Sequence, residues 1–286
     1  MDLWDTRTVR QVMAMFGLNF RKEFGQNFLT DPEVIDSIAD ACCADRNCTV
    51  LEIGPGIGTL TRSLAARYRR VIALEIDRSL IPVLRYTLSD HPNVEVINAD
   101  VMQVDLGELL AEAFREGPVA VCANLPYYIT TPILMKLLES RLPFDGITVM
   151  VQAEVADRLC AHAGSKAYGA ITVSVDYYGE AEELLFVPAD RFVPAPKVNS
   201  KVVRIALWGT KPCVPQSEEL FFRTVKAAFG QRRKTLANAL STGFPELGKE
   251  RIAAILAEQG LPTDIRGERL DVARFVALSD RLLAEK

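Results

Sequence analysis

An apolar run, Val119–Ala123, is followed by the segment Asn124-Leu-Pro-Tyr-Tyr-Ile-Thr-Thr-Pro132. The run predicts a buried strand, and Thr131-Pro132 predicts a helix start, with the threonine as N-cap and the proline in the first turn. An amide, a proline and two aromatic rings therefore lie where a strand reaches the surface. In open α/β sheets, this carboxyl end of a strand is where ligands bind.

The segment Asn124–Tyr127 resembles the (D/N/S)-P-P-(Y/F/W) signature of amino-group methyltransferases, with Leu125 in place of the first proline, and this resemblance implies chemistry on an exocyclic amine such as that of adenine. The N6 amine of adenine is a poor nucleophile because its lone pair is delocalised into the ring. Acceptors at Asn124 Oδ1 and at the carbonyl of Leu125 would hold both amine hydrogens and favour a pyramidal nitrogen, which exposes the lone pair. Pro126 would stiffen the backbone that carries these acceptors, and Tyr127 would stack on the base. These four residues are the predicted catalytic residues.

A glycine loop, Glu52-Ile-Gly-Pro-Gly-Ile-Gly58, follows an earlier predicted strand. Gly54 and Gly56 would let the backbone approach a ligand because they carry no Cβ, and the amino end of the next helix would face that ligand. Glu75 ends the next predicted strand, where a carboxylate can accept both ribose hydroxyls of a nucleoside. The third strand leads to Asn98-Ala-Asp100, whose acid can accept a hydrogen bond from an adenine amino group. Together these features predict a nucleoside cofactor.

The glycine spacing bears on which cofactor binds. Dinucleotide sites favour G-x-G-x-x-G, whereas here the third glycine, Gly58, comes one residue early. The pattern E-x-G-x-G-x-G resembles the first motif of the Rossmann-like S-adenosylmethionine (SAM) methyltransferases, whose product is S-adenosylhomocysteine. Attack of a neutral nitrogen on a cationic sulfonium needs no general base, so alignment and acceptor placement should dominate the rate. A chain with only two histidines suits such a mechanism.

The order of the predicted elements indicates an α/β fold. Continuous apolar runs alternate with segments of helical spacing, which predicts a doubly wound, Rossmann-like sheet. The predicted strands are 49–53, 70–76, 94–97, 119–123 and 147–151, and the predicted helices between them are 58–69, 79–89, 106–115 and 132–141. Two further runs, 170–178 and 201–207, predict strands without full helices between them, and hence an antiparallel edge.

The turn-rich segment Thr210–Pro215 predicts a domain boundary near residues 208–215. Beyond it the sequence predicts helices only, at 217–229, 232–241, 249–259 and 268–284. Gly230 is expected to end the first of these helices. The prediction is a catalytic, SAM-binding domain over residues 1–208 and a small all-helical domain over residues 209–286.

Composition excludes some classes of protein. No apolar run approaches the ~18–20 residues of a membrane helix. The N-terminus, with Asp2 and Asp5, lacks the apolar block of a secretory signal, so a cytoplasmic protein is expected. Cys42, Cys43 and Cys48 cluster without a second pair or a histidine that would complete a metal site. They are expected to be small buried apolar residues, and no metal is expected.

The net charge of −4 hides an uneven distribution. Residues 186–235 carry ten Lys and Arg against three acids, a charge of +7, while the remainder of the chain carries −11. Such asymmetry indicates a region that binds a polyanion. Within it, Lys197, Lys201 and the adjacent Arg232, Arg233 and Lys234 are predicted to contact RNA phosphates. The helical domain is therefore predicted to recognise RNA.

Six segments occur in the order found in one protein family. They are Phe24–Leu29, the glycine loop, Leu74–Asp77, Asn98–Asp100, Asn124–Tyr127 and Pro194–Ser200. On these motifs the chain resembles the ribosomal RNA adenine N6-dimethyltransferases, over roughly residues 15–285. The segment Ala228–Leu236 looks like the C-terminal signature of the small-subunit branch of that family.

The resemblance implies dimethylation of two adjacent adenosines in the 3′-terminal hairpin of 16S rRNA, on a late assembly intermediate of the small subunit. It implies SAM contacts at Asn27, Leu29, Gly54, Glu75, Asp100 and Asn124. Gln26 and Asn27 would fold over the methionine end of the cofactor. Nothing in the sequence requires more than a monomer.

Three other functions stay open on the sequence alone. A relative that acts on large-subunit rRNA, as in macrolide resistance, is disfavoured by the signature Arg232–Leu236 and by the helical tail. A non-catalytic ribosome assembly factor would have no use for Asn124–Tyr127 or Glu75. A nicotinamide-dependent dehydrogenase is disfavoured by the glycine spacing.

Overall fold

A computed structural model of the chain describes residues 1–20 and 26–285. Phe24 and Gly25, the first two residues of the motif that leads to Gln26, lie outside the described residues. Within the described residues, no helix is both long enough and apolar enough to cross a membrane.

Strands and helices alternate through the first two thirds of the chain, and helices follow. The strands are β1 Phe28–Leu29, β2 Thr49–Ile53, β3 Arg70–Glu75, β4 Val94–Asn98, β5 Val119–Asn124, β6 Phe144–Gln152, β7 Gly179–Val187, β8 Phe192–Val193 and β9 Ser200–Leu207. The first helices are α1 Thr6–Met15, α2 Pro32–Cys42, α3 Thr59–Ala65, α4 Ile81–Thr87, α5 Leu106–Glu116, α6 Thr130–Glu139, α7 Ala153–Leu159 and α8 Ala170–Tyr178. The remaining helices are α9 Glu218–Gly230, α10 Leu236–Gly243, α11 Gly248–Glu258 and α12 Val272–Leu283.

The main sheet has seven strands in the order β4-β3-β2-β5-β6-β9-β7. Strands β4 to β6 of this order pair in parallel, and β9 pairs with β6 antiparallel. Chain order reverses between β2 and β5, so their carboxyl ends flank the crevice that such sheets use to bind ligands. The glycine loop follows β2 and Asn124 ends β5, which brings the two predicted motifs to the same crevice.

The interior parallel strands confirm the interpretation of the continuous apolar runs, whereas the edge strand β4 is only partly buried. All five residues of β2 are buried, and so are the first five residues of β5. Helix α2 contacts β5 and β6, helix α3 contacts β3, and together they cover part of the sheet. Because the strands are buried on both faces, their sequences show no alternation of polar and apolar residues.

Cys42, Cys43, Cys48 and Cys122 are free thiols buried in the core that α2 and α3 form with the sheet. This placement agrees with their predicted role as small apolar residues. Among residues 1–20 and 26–285, no cluster of His, Cys, Asp or Glu is suited to hold a metal ion.

The prediction of a strand at residues 170–178 is wrong, because this segment forms helix α8. Its β-branched and aromatic residues favour a strand, but six of its nine residues are buried, so tertiary packing decides. A short apolar run does not distinguish a buried helix from a buried strand by periodicity. The edge of the sheet instead consists of β9, which is antiparallel to β6, and of β7, which carries the exposed glutamates 180, 182 and 183.

The predicted start of the helix after the Asn124 segment, with Thr131 as its N-cap, is also wrong, by two residues. Helix α6 begins at Thr130, its N-cap position is Ile129, and no side chain caps it. Thr130 Oγ1 donates instead to the backbone oxygen of Pro126 at 3.1 Å. The hydroxyl therefore closes the turn that follows Asn124–Pro126 rather than capping the helix from outside.

The chain divides into two compact units. The first unit comprises Met1–Ala156 and Ala181–Leu207, and the second comprises Asp157–Glu180 and Trp208–Lys286. The division after Leu207 lies beside the boundary expected at residues 208–215, while residues 157–180 group with the C-terminal helices. In the second unit α8 contacts α9 and α12, and the ring centroids of Tyr177 and Phe221 are 4.9 Å apart. The functions assigned to the two domains stay predictions.

Candidate active site

A pocket in the first unit opens at the carboxyl ends of β2, β3 and β5. It encloses about 890 Å³, its solvent-filled mouth included. The residues of the predicted site that line it are Gln26, Asn27, Leu29, Gly54, Gly56, Glu75, Asn124, Leu125, Pro126 and Tyr127. Asp100 is not among the lining residues. The fold thus collects residues from four separate segments of the chain into one cavity.

The glycine loop needs glycine at Gly56 for two reasons. Gly56 has a φ of 62°, in the left-handed region that L side chains rarely adopt. A Cβ there would lie 2.8 Å from Phe28 Cε1, the ring that packs against the loop. At Gly54, the nearest atom to an added Cβ is the backbone oxygen of Asn124, at 4.0 Å. The loop and the end of β5 therefore approach each other closely on one side of the pocket.

Glu75 joins the end of β3 to the glycine loop. Its Oε2 accepts from Gly56 N at 3.2 Å, and its Oε1 accepts from Asp77 N at 2.8 Å. The residue is 5% exposed, and this burial raises the pKa of the carboxyl group to about 7. Each oxygen retains a lone pair beyond its backbone bond, as acceptance of two ligand hydroxyls requires.

Asn124 lies between the glycine loop and the segment before β1. Its Nδ2 donates to the backbone oxygen of Asn27 at 3.3 Å. That bond fixes which end of the amide faces Asn27, so Oδ1 points to the other side. Leu125 is 1% exposed and its N–H donates to Met150 O at 3.2 Å. The peptides that carry the predicted acceptors are therefore anchored to the neighbouring strand β6.

The hydroxyl group of Tyr127 anchors its ring to strand β9. The hydroxyl groups of Tyr127 and Ser200 are hydrogen-bonded at 2.7 Å, and Ser200 is fully buried at the start of β9. Burial raises the pKa of the Tyr127 hydroxyl, so the phenol is neutral. The half-buried ring thus presents itself to the pocket in a fixed orientation.

The predicted residues before β1 are held in place by long-range contacts. Gln26 Nε2 donates to Asp77 Oδ2 at 2.9 Å. Strand β1 pairs antiparallel with β8, with Phe28 opposite Val193 and Leu29 opposite Phe192. These contacts place Gln26 and Asn27 on the wall of the pocket next to the ends of β3 and β5.

Asp100 does not line the pocket. Its Oδ1 accepts from Met102 N at 2.9 Å, and the preceding Ala99 N donates to Glu75 O at 3.1 Å. The turn that carries Asp100 is therefore bonded to the end of β3. Its role toward the cofactor stays a prediction.

The family described as "Ribosomal RNA adenine dimethylase" matches residues 17–277 of the chain. This chain belongs to that family. The chain is 45% identical over 276 residues, 96% of both chains, to "Ribosomal RNA small subunit methyltransferase A" of Alkaliphilus oremlandii (strain OhILAs). It is 46% identical over 285 residues, 99% of this chain and 97% of the relative, to the protein of the same name from Geobacillus thermodenitrificans (strain NG80-2).

Two solved structures resemble this member of the adenine dimethylase family. A dimethyladenosine transferase from Plasmodium falciparum superposes with a TM-score of 0.74 at 24% identity, over 88% of this chain and 95% of that one. The 23S rRNA methyltransferase ErmE superposes with a TM-score of 0.69 at 30% identity, over 90% of this chain and 99% of that one. The predicted Rossmann-like methyltransferase fold is confirmed.

Among the pocket-lining residues of this dimethylase that were not predicted as site residues are Glu52 and Ile76. In the sequence, Glu52 stands out only as the first residue of the E-x-G-x-G-x-G pattern. It is 1% exposed, and its Oε2 has no hydrogen-bond partner within the described chain. Burial raises the pKa of Glu52 to about 8. Ile76 is 48% exposed although it is large and apolar. Its position directly after Glu75 is the sequence feature that could have predicted that it lines the pocket.

The five predicted RNA-binding cations of this dimethylase differ in their surroundings. Lys201 pairs with Glu183 at 2.8 Å and its side chain is 18% exposed. Arg232 donates to the backbone oxygens of Lys166 and Tyr168 and lies 3.5 Å from Glu268. Lys197, Arg233 and Lys234 are exposed. Within the described part of the chain, the latter three form no ion pair, so they can contact a phosphate without breaking one.

Proposed function

We propose that this chain transfers methyl groups from SAM to N6 of two adjacent adenosines in the 3′-terminal hairpin of 16S rRNA, giving N6,N6-dimethyladenosine. The single observation that carries the proposal is the convergence of Asn124 and the glycine loop on one pocket, with the Asn124 amide oriented by Asn27. The reaction belongs to small-subunit biogenesis in the cytoplasm. The partner is an assembly intermediate of the small subunit, and the enzyme acts as a monomer.

The residues present fit SAM. Glu75 offers two lone pairs to the ribose hydroxyls, and Asp100 would accept from the adenine amino group. Gln26, Asn27 and Leu29 lie on the wall that would meet the methionine end. When bound, SAM supplies a methyl group made electrophilic by its sulfonium charge.

The chain's own contribution is to align the amine. Asn124 Oδ1 and the Leu125 carbonyl accept the two N6 hydrogens, which turns the nitrogen lone pair toward the methyl group. Bound SAM would supply its methyl group to this lone pair and keep the electron pair of the S–C bond, so the positive charge would pass from sulfur to nitrogen. The nitrogen then loses one proton to water. Because the positive charge moves across the site and is not created there, most of the rate enhancement should come from alignment and from the placement of the acceptors.

Tyr127 holds the base while this happens. Its ring is fixed by the hydrogen bond of its hydroxyl group to Ser200, so stacking on the target base costs little further ordering of the side chain. Aromatic stacking of this kind stabilises a base that has left its own helix.

A second candidate is methylation of large-subunit rRNA, which the likeness to a 23S rRNA methyltransferase favours. The small-subunit relatives are more similar, at 45% and 46% identity against 30%. The two substrates separate in one experiment. The protein is incubated with SAM and unmethylated small subunits, or with large subunits, and digested RNA is searched for N6,N6-dimethyladenosine by mass spectrometry. Dimethyladenosine from the small subunits alone supports the proposal, and its appearance only in 23S rRNA would overturn it.

A further inference from the structure

Tyr128 is a large aromatic residue left in water on the rim of the pocket. It is 60% exposed, and it lines the same cavity as Asn124 and Tyr127. Across residues 1–20 and 26–285, no hydrogen bond, ion pair or ring contact of the Tyr128 side chain is found. Its neighbour Tyr127, by contrast, is half-buried and bonded to Ser200. Two consecutive tyrosines therefore line one pocket, one with an anchored ring and one with a solvent-exposed ring.

The backbone holds Tyr128 at a defined place on the rim. Ile129 N donates to Pro126 O at 3.2 Å, and Thr130 Oγ1 donates to the same oxygen at 3.1 Å. Helix α6 begins at Thr130, so Tyr128 lies in a closed turn between a fixed ring and a helix. Isolated exposed apolar residues are ordinary on protein surfaces. What indicates a ligand is the position of this ring beside a pocket that is proposed to receive a base.

The chemistry of the proposed substrate identifies that ligand. When one adenosine of the pair enters the pocket, it loses its stack on the adjacent base, and the protein has to offset this loss. An exposed aromatic ring at the pocket mouth offers the neighbouring base a new face. A purine covers more of such a ring than a pyrimidine does.

We propose that Tyr128 stacks on the base next to the target adenosine, so that Tyr127 serves the reacting base and Tyr128 its neighbour. The inference rests on the proposed function and adds to it a residue that favours a purine beside the reacting adenosine. Since Tyr128 has one position on the rim, it meets the neighbour on one side only, either 5′ or 3′.

The test pairs a protein change with a substrate change. Tyr128→Ala, Tyr128→Phe and the wild type methylate unmethylated small subunits that carry either the native adenosine pair or an abasic site in place of one adenosine. The kcat/KM for the remaining adenosine is measured for both placements of the abasic site. Tyr86→Ala is the matched control, because Tyr86 is an exposed tyrosine, 42% exposed, that does not line the pocket.

For one placement of the abasic site, the wild type should lose about tenfold in kcat/KM. Tyr128→Ala should lose about tenfold on the native pair and nothing further on that abasic substrate. Tyr128→Phe should behave as the wild type, because stacking does not use the hydroxyl group. Tyr86→Ala should change neither value.

Equal losses for Tyr128→Ala on native and abasic substrates would overturn the inference, and so would a Phe variant as impaired as the Ala variant. If Tyr128→Ala does not fold, the Phe variant and the abasic sensitivity of the wild type decide. If the kcat/KM of the wild type is unchanged by an abasic site at either placement, the protein does not bind the neighbouring base and the inference fails. A wild type that does not methylate native small subunits at all contradicts the proposed function instead.

Discussion

The side-chain nitrogen of Asn124 donates to the backbone oxygen of Asn27 at 3.3 Å, across 97 residues of sequence. One end of the amide is thereby committed to the protein, which leaves Oδ1 as the end of this pocket-lining side chain that can accept from a ligand. This bond connects the residues proposed for the target amine with the segment proposed for the methionine end of the cofactor. In Asn124, the amide nitrogen thus positions the side chain, and the amide oxygen is proposed to accept from the target amine.

Replacing Asn124 by Ala should remove an acceptor used by the target amine but few contacts to the cofactor. Methyl transfer is therefore expected to fall by about 10²–10³, while affinity for S-adenosylhomocysteine stays within several-fold. Single-turnover methylation of small subunits and calorimetric titration of the cofactor product measure the two quantities. Near-normal turnover would refute the role given to Asn124.

The hydroxyl pair of Tyr127 and Ser200 should behave as a single unit. Ser200→Ala and Tyr127→Phe each delete the same bond, which is worth about 1 kcal/mol, so each should reduce kcat/KM by roughly fivefold. The double variant should then be little worse than either single one, because the shared interaction can be lost only once. Tyr127→Ala, which also removes the ring, should be lower still. Additive losses in the double variant would mean that the two hydroxyl groups act independently.

Gly56 should tolerate alanine poorly, and Gly17 provides a matched control. Both have a φ in the left-handed region, 62° and 66°, but a Cβ at Gly17 would meet no atom within 4 Å. Gly17→Ala should therefore cost only the backbone strain of about 1–2 kcal/mol. Gly56→Ala adds a clash with Phe28, so it should also weaken binding of S-adenosylhomocysteine by tenfold or more (about 1.4 kcal/mol). Unchanged cofactor affinity in Gly56→Ala would show that the loop does not approach the ligand.

The buried carboxyl group of Glu52 should make the protein less stable at high pH. Its pKa is raised to about 8 in the fold, against about 4.3 in an unfolded chain. Between these values the unfolded chain releases its proton first, so the contribution of Glu52 to the free energy of unfolding is full below about pH 4.3 and falls up to about pH 8.

Glu52→Gln removes this titration. Relative to wild type it should raise the free energy of unfolding at pH 9 by on the order of a few kcal/mol, with little change at pH 4. Urea unfolding at the two pH values measures the difference, with Glu139→Gln at an exposed helix position as the control. A Glu52→Gln effect that is equal at both pH values would show that Glu52 does not titrate in this range.

Much of the fold and site follows from local sequence, and the failures have a common cause. Continuous apolar runs and the spacing of Gly54, Gly56 and Glu75 depend on neighbours in the chain, so they could be predicted. The helix at residues 170–178 depends on packing against α9 and α12, and the bond between Tyr127 and Ser200 joins residues 73 positions apart. No single-sequence pattern records such contacts. The ion pair of Lys201 and the backbone hydrogen bonds of Arg232 are also contacts between distant residues, so the sequence could not predict them. These contacts distinguish the two cations from Lys197, Arg233 and Lys234, which carry the same charge.

The basic segment Arg232–Lys234 should separate into one structural and two RNA-binding residues. Arg233→Ala with Lys234→Ala should weaken binding to small subunits and lower the slope of log K against log salt by about 1–2, because each phosphate contact contributes about 0.7–0.9. Arg232→Ala should mainly lower the melting temperature, by about 2–4 °C, since Arg232 bonds to the loop at Lys166 and Tyr168. Lys249→Ala, which removes one positive charge at an exposed lysine of α11, is the control for loss of a surface charge. If the double variant keeps the wild-type salt slope, Arg233 and Lys234 are merely solvated and RNA recognition by the second unit has to be sought elsewhere on its surface.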